Sequence, residues 1–290
     1  MKVRKAIIPA AGFGSRMLPI TKAIPKEMLP IVDKPALQYI IEEAALSGIE
    51  DILVVTSRGK VAIEDHFDRL PELENALDVP GKEELLESVL KTTKLANISY
   101  IRQQEINGLA NAILMGRSFV GDEPFMVLYG DDVIISDYPV TKQLINAYEE
   151  FNLPSLGIQQ VEERSISMYS SLKVKNLQDN IYLVDDMVEK PRFGEHFSLF
   201  AILGRCLLTP NIFEVIVNQP PGAGGEIQLT DAIRAIAKDV GCIGVDFVGK
   251  RYDIGNRLGY LKAQVELGLK HPDTAASFKE YIKALDLESF

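Results

Sequence analysis

The sequence predicts an α/β fold of the Rossmann-like kind, with a mostly parallel or mixed central sheet, flanking helices and C-terminal helices. Three observations carry that expectation. Short apolar runs alternate with longer amphipathic stretches through the first half. The short runs are apolar on both faces, as buried parallel strands are. The middle of the chain then changes to closely spaced strand-like runs, after which helices return. No internal repeat, low-complexity tract or linker divides the 290 residues, so one continuous domain is expected over 1–290.

"KAIIPAAG" is a compact apolar run closed by glycine and reads as the first buried strand. In "KPALQYIIEEAALSG", Leu37, Ile40, Ile41, Ala44 and Ala45 form one apolar stripe. Pro35 suits the first turn of that helix and Gly48 its C-terminal cap. "DILVVT" is the next strand, and acidic amphipathic helices fill 61–96, broken near Pro71 and Pro80. "ISYIRQ" reads as a strand, "LANAILMGRSF" as one helix, "FMVLYGDD" as a strand and "TKQLINAYEEF" as a helix. "SLGIQQV", "SSLKVKN", "IYLVDDMVEKP" and "LFAILGRCLL" then extend the sheet as a mixed set of strands. "TPNIFEVI" and "IQLTDAIRAIAKDV" return to helix and "CIGVDFV" is a short strand. "RLGYLKAQVELGLK" and "AASFKEYIKALDL" close the chain as helices.

The formal charge of −10 argues against a general nucleic-acid binder, because a phosphate backbone attracts positive faces. Cations that meet phosphate must therefore be locally focused. No window approaches the ~18 continuous apolar residues of a membrane span, and the N-terminal apolar run breaks too early for a signal peptide. A cytoplasmic protein with no membrane partner is expected. Cys206 and Cys242 belong to no CxxC pair or metal-type cluster and are expected as reduced, partly buried thiols.

Residues 9–30, "PAAGFGSRMLPITKAIPKEMLP", combine small residues, cations and prolines. In open α/β sheets ligands sit beyond the carboxyl ends of strands. The first strand ends at Ala10 and Ala11, which puts Gly12, Gly14 and Arg16 there. Small residues let backbone N–H groups close around anionic oxygens, and Arg16 adds a fork of donors suited to phosphate. Lys26 can return to the same place if Pro19, Pro25 and Pro30 hold the segment extended rather than helical. A dinucleotide loop would need glycine where Met17 stands, and a P-loop would need Gly-Lys-Ser/Thr. The cations separate this stretch from an ordinary tight turn, because folding alone asks for no positive charge at a strand's carboxyl end.

Asp131 and Asp132 follow a strand and a glycine. The ordinary meaning of such a pair is a solvated turn. The sharper one is a Mg²⁺ site, since that ion on nucleotide phosphates needs only one or two carboxylates. Asp253 in "RYDIGN" has the same ordinary reading. Glu189 can accept hydrogen bonds from two neighbouring hydroxyls and Lys190 is a point charge suited to phosphate. Pro191 is expected to force an extended exit from their strand.

The stretch G-x-G-[ST]-R-x-L-P-x-T-K-x-x-P-K-E-M-L-P resembles the signature of sugar-nucleotide pyrophosphorylases, in particular the bacterial UTP–glucose-1-phosphate uridylyltransferases. The resemblance continues in order through "VDKPALQYIIEEA", "IEDHFD", "YIRQ", "VGDEPF", "GDD", "VEKP", "GGEIQLTDAI" and "RYDIGNRLGYLKA". It implies a nucleotide-binding half over 1–135, a sugar-phosphate-binding half over 136–255 and C-terminal helices over 256–290. Nucleotide contacts are implied from the main chain at Ala10, Ala11, Gly12 and Gly14 and from Gln103 and Gly108. Asp131 is implied as the Mg²⁺ ligand, with Asp253 as the second. Asp132, Ser170, Glu189 and Lys190 fall on the sugar-phosphate side, with Glu226 and Gln228 near it. Arg16, Lys26 and Lys190 become the catalytic cations.

The activity implied is formation of UDP-glucose and pyrophosphate from UTP and glucose-1-phosphate, in a homo-oligomer, dimer or tetramer. The residue types suit it. The attacking phosphate is already ionised near neutral pH, so no general base is needed, and none of His66, His196 and His271 sits in a candidate motif. The barrier is the approach of one anion to another, lowered by positioning and charge neutralisation. The chain departs from the family pattern at Ala110 and Asn111, usually Gly-His, at Ser170, usually Gly, and at Leu199, usually Asn. These departures are expected near the nucleotide and sugar contacts. They keep two other readings open. One is a catalytically weak or regulatory relative that binds nucleotide sugar or modulates an active partner. The other is an enzyme for another nucleotide, such as dTTP, or another sugar phosphate.

Overall fold

The computed structural model describes residues 2–289 apart from 193, 223 and 224. After β1 (Lys5–Pro9) come three single 3₁₀ turns, Ser15–Met17, Ile20–Lys22 and Lys26–Met28, and a small ribbon of β2 (Pro30–Ile31) and β3 (Lys34–Pro35). The chain continues through α1 (Ala36–Leu46), β4 (Asp51–Thr56), α2 (Val61–Phe67), α3 (Pro71–Leu77), α4 (Glu83–Thr92) and β5 (Asn97–Arg102). Next are α5 (Leu109–Leu114), α6 (Arg117–Val120), β6 (Phe125–Leu128), β7 (Asp132–Ile135) and α7 (Val140–Phe151). The strands β8 (Ser155–Gln160), β9 (Ser170–Gln178), β10 (Ile181–Glu189) and β11 (Phe200–Leu208) follow, then α8 (Asn211–Asn218) and α9 (Leu229–Asp239). The remaining elements are β12 (Ile243–Asp246), β13 (Lys250–Asp253), α10 (Arg257–Gly268) and α11 (Ala275–Ala284).

One nine-stranded sheet runs β5-β4-β1-β6-β11-β8-β12-β10-β9. Its β5, β4, β1 and β6 are parallel. Strand β11 is antiparallel to both β6 and β8, and β9 and β10 form an antiparallel hairpin at the far edge. The sheet is therefore mixed and carries helices on both faces, as the alternation of runs predicts. Strand β1 shows why its sequence is continuously apolar. Ala6 and Ile8 enter the core beneath α1 and α7, whereas Ile7 enters the opposite core with α5, α8 and α9. Full burial of one such side chain contributes about 1.5–3 kcal/mol.

Two expectations are corrected, and one strand is added. The helix expected over "LANAILMGRSF" is broken into α5 and α6. Gly116 lies so close to β1 that a Cβ there would stand 2.3 Å from Ile7 Cδ1, so the chain turns where it crosses the strand. The segment between Pro19 and Pro30 is coiled into single turns rather than extended, with Pro19 and Pro25 at the joints. "KRYD" is strand β13, which pairs antiparallel with β7 in a ribbon beside the main sheet.

Candidate active site

Because β1 and β6 are parallel neighbours, the loops after them open on one edge of the sheet. After β1, Gly14 adopts left-handed φ 67°. A side chain there would meet Thr21 at 3.1 Å and the Cβ of Lys26 at 3.3 Å. Thr21 Oγ1 donates to Gly14 O at 2.8 Å and fastens the fold-back. Gly14 thus shapes the loop and lines neither compartment of the cleft described below. The coiled segment still delivers Lys26 Nζ to 2.6 Å from Asp131 Oδ2.

Beneath the loop Glu27 is fully buried, and Lys60 Nζ donates to its carboxylate at 2.8–3.0 Å and also to Ala10 O. Burial raises the pKa of Glu27 against the pull of Lys60, and burial lowers that of Lys60. Ala10 N–H donates to Val55 O at 2.8 Å. Both backbone groups of Ala10 therefore bond inside the fold, and Ala10 lines neither compartment of the cleft. Ala11 and Gly12 line the cleft instead.

Asp132 opens β7 and Asp253 ends β13, directly opposite one another in the ribbon. This register brings the carboxylates together across some 120 residues of chain. Arg16 spans them, with Nη2 3.8 Å from Asp131 Oδ2 and Nη1 3.6 Å from Asp253 Oδ2. Burial opposes ionisation of Asp131, but Lys26 and then Arg16 and Arg251 outweigh it and its pKa falls. Lys26 is held above its ordinary value by Asp131 and Glu27, which overcome its own burial.

Gly255 sits against this cluster. The point where a Cβ would stand lies 2.5 Å from Asp131 Oδ2, 2.8 Å from Arg16 Nη2 and 3.0 Å from Asp253 Oδ1. Only glycine lets Asp131, Asp253 and Arg16 approach this closely, and two converging carboxylates suit a hard cation that takes its other ligands from phosphate and water. Among the described residues no cluster of three or more His, Cys, Asp or Glu forms a closed metal cage.

A cleft of about 670 Å³ opens from these charges toward β9 and β10. Glu189 lines it, accepts from Thr230 Oγ1 at 2.6 Å and lies 3.7 Å from Lys190 Nζ. Lys190 has φ 45° instead of the extended backbone expected before Pro191. Left-handed backbone at a non-glycine residue costs about 1–3 kcal/mol, and the Lys190 N–H holds it by donating to Tyr169 O at 2.9 Å. Ser170 also lines the cleft, but its Oγ accepts from Ile202 N–H at 3.1 Å. The hydroxyl oxygen thus accepts from the sheet backbone.

Of the other departures, Ala110 is buried in the core and Asn111 donates to Glu105 O at 3.4 Å on the surface. Leu199 packs on the core. None of these three lines the cleft, contrary to expectation.

A smaller compartment of about 270 Å³ shares Lys26, Leu109, Tyr129, Asp131 and Glu226 with the larger one. Gln103 lines it, is 4% exposed, and has no hydrogen-bond partner for Nε2 among the described residues. A buried amide left unpaired in a cavity wall is open to a partner from the cavity. Gly108 has φ 101°, and a Cβ there would meet Ile227 O at 2.7 Å, so only glycine lets the 226–227 loop close on this wall. Glu226 and Gln228 both line the larger compartment, on its α9 side.

Arg251 was not foreseen. Its Nη2 lies 2.6 Å from Asp132 Oδ1, off the N–H axis, and its guanidinium stacks 5.0 Å from the Tyr169 ring. Tyr169 OH in turn lies 3.5 Å from Asp253 Oδ2. Burial lifts the Asp132 pKa to about 6, with Arg251 pulling down and Asp131 and Asp253 pushing up. The signal for Arg251 is its i, i+2 spacing from Asp253, which shares one strand face once "KRYD" is read as a strand. Thr230, Lys60 and Glu27 carried no such signal.

The sequence matches the nucleotidyl transferase family over residues 5–268. It is 51% identical to UTP–glucose-1-phosphate uridylyltransferase 2 of Staphylococcus saprophyticus and 50% identical to the UTP–glucose-1-phosphate uridylyltransferase of Staphylococcus epidermidis, over 99% of each chain in both cases. The fold is similar to that of a UDP-glucose pyrophosphorylase complexed with UDP-glucose, with TM-score 0.85 and 42% identity over 93% of this chain and 100% of that one. It is also similar to that of UTP-bound UDP-glucose pyrophosphorylase from Acinetobacter baumannii, with TM-score 0.91 and 33% identity over 98% and 100% of the two chains. By its sequence, its mixed sheet and its relatives, the chain belongs to the nucleotidyl transferase family, among the UTP–glucose-1-phosphate uridylyltransferases.

Proposed function

We propose that this chain transfers uridylyl from UTP to glucose-1-phosphate and releases pyrophosphate, giving UDP-glucose. The observation that carries the reading is the meeting of Arg16, Lys26, Asp131 and Asp253 where the two compartments join. In the reaction a sugar-phosphate oxygen bonds to the α-phosphorus of UTP while the bond from that phosphorus to the pyrophosphate oxygen breaks. Both partners are anions, so catalysis consists of in-line positioning and charge neutralisation. Arg16 and Lys26 receive the triphosphate, and Lys190 guides the incoming phosphate. Glu189, oriented by Thr230, accepts from glucose hydroxyls, and Gln103 offers a donor and an acceptor to the uracil edge.

Asp131 and Asp253 would hold Mg²⁺, which when bound neutralises phosphate charge as an electrophile. The convergence of the two carboxylates beside Gly255 supports that assignment. We place the reaction in the cytoplasm. Among the described residues no helix is long and apolar enough to cross a membrane. We also propose a homo-oligomer, dimer or tetramer, which light scattering measures.

The test is pyrophosphate release from UTP, glucose-1-phosphate and Mg²⁺. Turnover at or above ~1 s⁻¹, the low end for enzymes, is expected. Binding of UDP-glucose without release would favour a regulatory relative instead. That alternative draws on the departures from the family pattern, of which only Ser170 lines the cleft. Faster turnover with dTTP or another sugar phosphate in the same assay would change the substrate pair.

A further inference from the structure

Arg205 is the largest fully buried side chain among the described residues, and it lines no part of the cleft. Its Nε donates to Glu43 Oε1 at 3.0 Å, and its Nη2 donates to Glu43 Oε2. Its Nη1 donates to two carbonyls, Asp132 O at 3.1 Å and Gly204 O at 2.9 Å. Glu43 also accepts from Thr141 N–H at 2.9 Å and Thr141 Oγ1 at 2.7 Å. One ion pair thus joins α1, α7, β11 and the start of β7.

The surrounding backbone is shaped to permit this. The β11–β8 register is irregular between Ile202 and Cys206. Gly204 takes φ 75° there, and a Cβ on it would stand 2.7 Å from Asp132 Cβ. Irregular strand geometry beside a reactive site re-aims what it touches. The preceding aspartate is held as well, since Asp131 O accepts from Ile254 N–H at 3.0 Å.

A buried ion pair is weak evidence of stabilisation, because an apolar pair of similar volume is often neutral or better. A rigid guanidinium fork does fix geometry. We propose that Arg205, oriented by Glu43, is a positioning residue that sets Asp131 and Asp132 against Arg16 and Lys26 for transfer. This rests on the uridylyl-transfer reading above.

The experiment measures kcat and KM for UTP and glucose-1-phosphate, per folded molecule, in Arg205→Lys and in the double variant Arg205→Met/Glu43→Leu. The double variant removes both charges, so neither is left alone in the core. It is expected to fold, with kcat down about 100-fold, the scale of a 1 Å misplacement, and each KM within about threefold. Arg205→Lys keeps a charge opposite Glu43 but lacks the fork, and is expected to recover part of kcat. A kcat within threefold of the unmodified protein in either folded variant, or a loss confined to KM, overturns the proposal. If the double variant does not fold, the kcat of Arg205→Lys decides alone. Absence of turnover in the unmodified protein would instead remove the uridylyl-transfer reading.

Discussion

Gly255→Ala places one methyl group between the two carboxylates proposed to hold Mg²⁺. An ordinary contact begins at 3.4 Å. Asp131 Oδ2 would therefore retreat by about 0.9 Å and Asp253 Oδ1 by about 0.4 Å from the new Cβ. Asp131 is tied to Lys26 at 2.6 Å, so part of that shift is passed to the lysine. The clashing atoms are ends of side chains, and the fold has no need to change. A displacement near 1 Å among reacting groups costs on the order of 10²-fold in rate, or about 3 kcal/mol of transition-state stabilisation. The assay is pyrophosphate release at saturating UTP and glucose-1-phosphate, with thermal unfolding as the control. The expected result is a kcat about 100-fold lower with little change in Tm. A variant turning over within threefold of the parent would refute the view that this close packing is part of the machinery.

Lys190→Ala should keep the fold, since half the side chain is exposed, yet lose most of its turnover; near-normal turnover would remove Lys190 from the mechanism. Lys60→Met leaves Glu27 buried without its cation, and denaturant unfolding should show a loss of about 3–5 kcal/mol. Asp186 accepts from Arg234, which with lesser help from Met187 N–H and Lys238 holds its carboxyl at about 2, below the ordinary 3.8. Its stabilising effect is therefore full above the ordinary value and fades as pH falls toward 2. Acid titration should show Arg234→Ala less stable than the parent at pH 6 and nearly equal at pH 2.

Local patterns in the sequence foretold the β1 strand, because Ile7 and Ile8 are apolar toward opposite cores, and the site edge, because Arg16 and Lys26 follow a strand that has no folding use for them. What local pattern does not show depends on distant pairing, and Asp253 enters only through the resemblance. Asp253 meets Asp132 only through the β7–β13 ribbon. No local pattern marks Lys60 or Arg205, and Glu27 and Glu43 enter only within the stretches that carry the resemblance. Their burial follows from tertiary packing, which periodicity does not report. The proline-rich segment misled for a related reason. Fixed φ at Pro19 and Pro25 is compatible with turns as well as with extension, and the fold-back at Gly14 selects turns.

The most direct measurement is a crystal structure of the protein soaked with UTP and Mg²⁺. The account predicts the triphosphate within hydrogen-bond reach of Arg16 and Lys26, density for the metal on Asp131, and the base beside Gln103. A triphosphate bound elsewhere, with those side chains out of reach of it, would contradict the account.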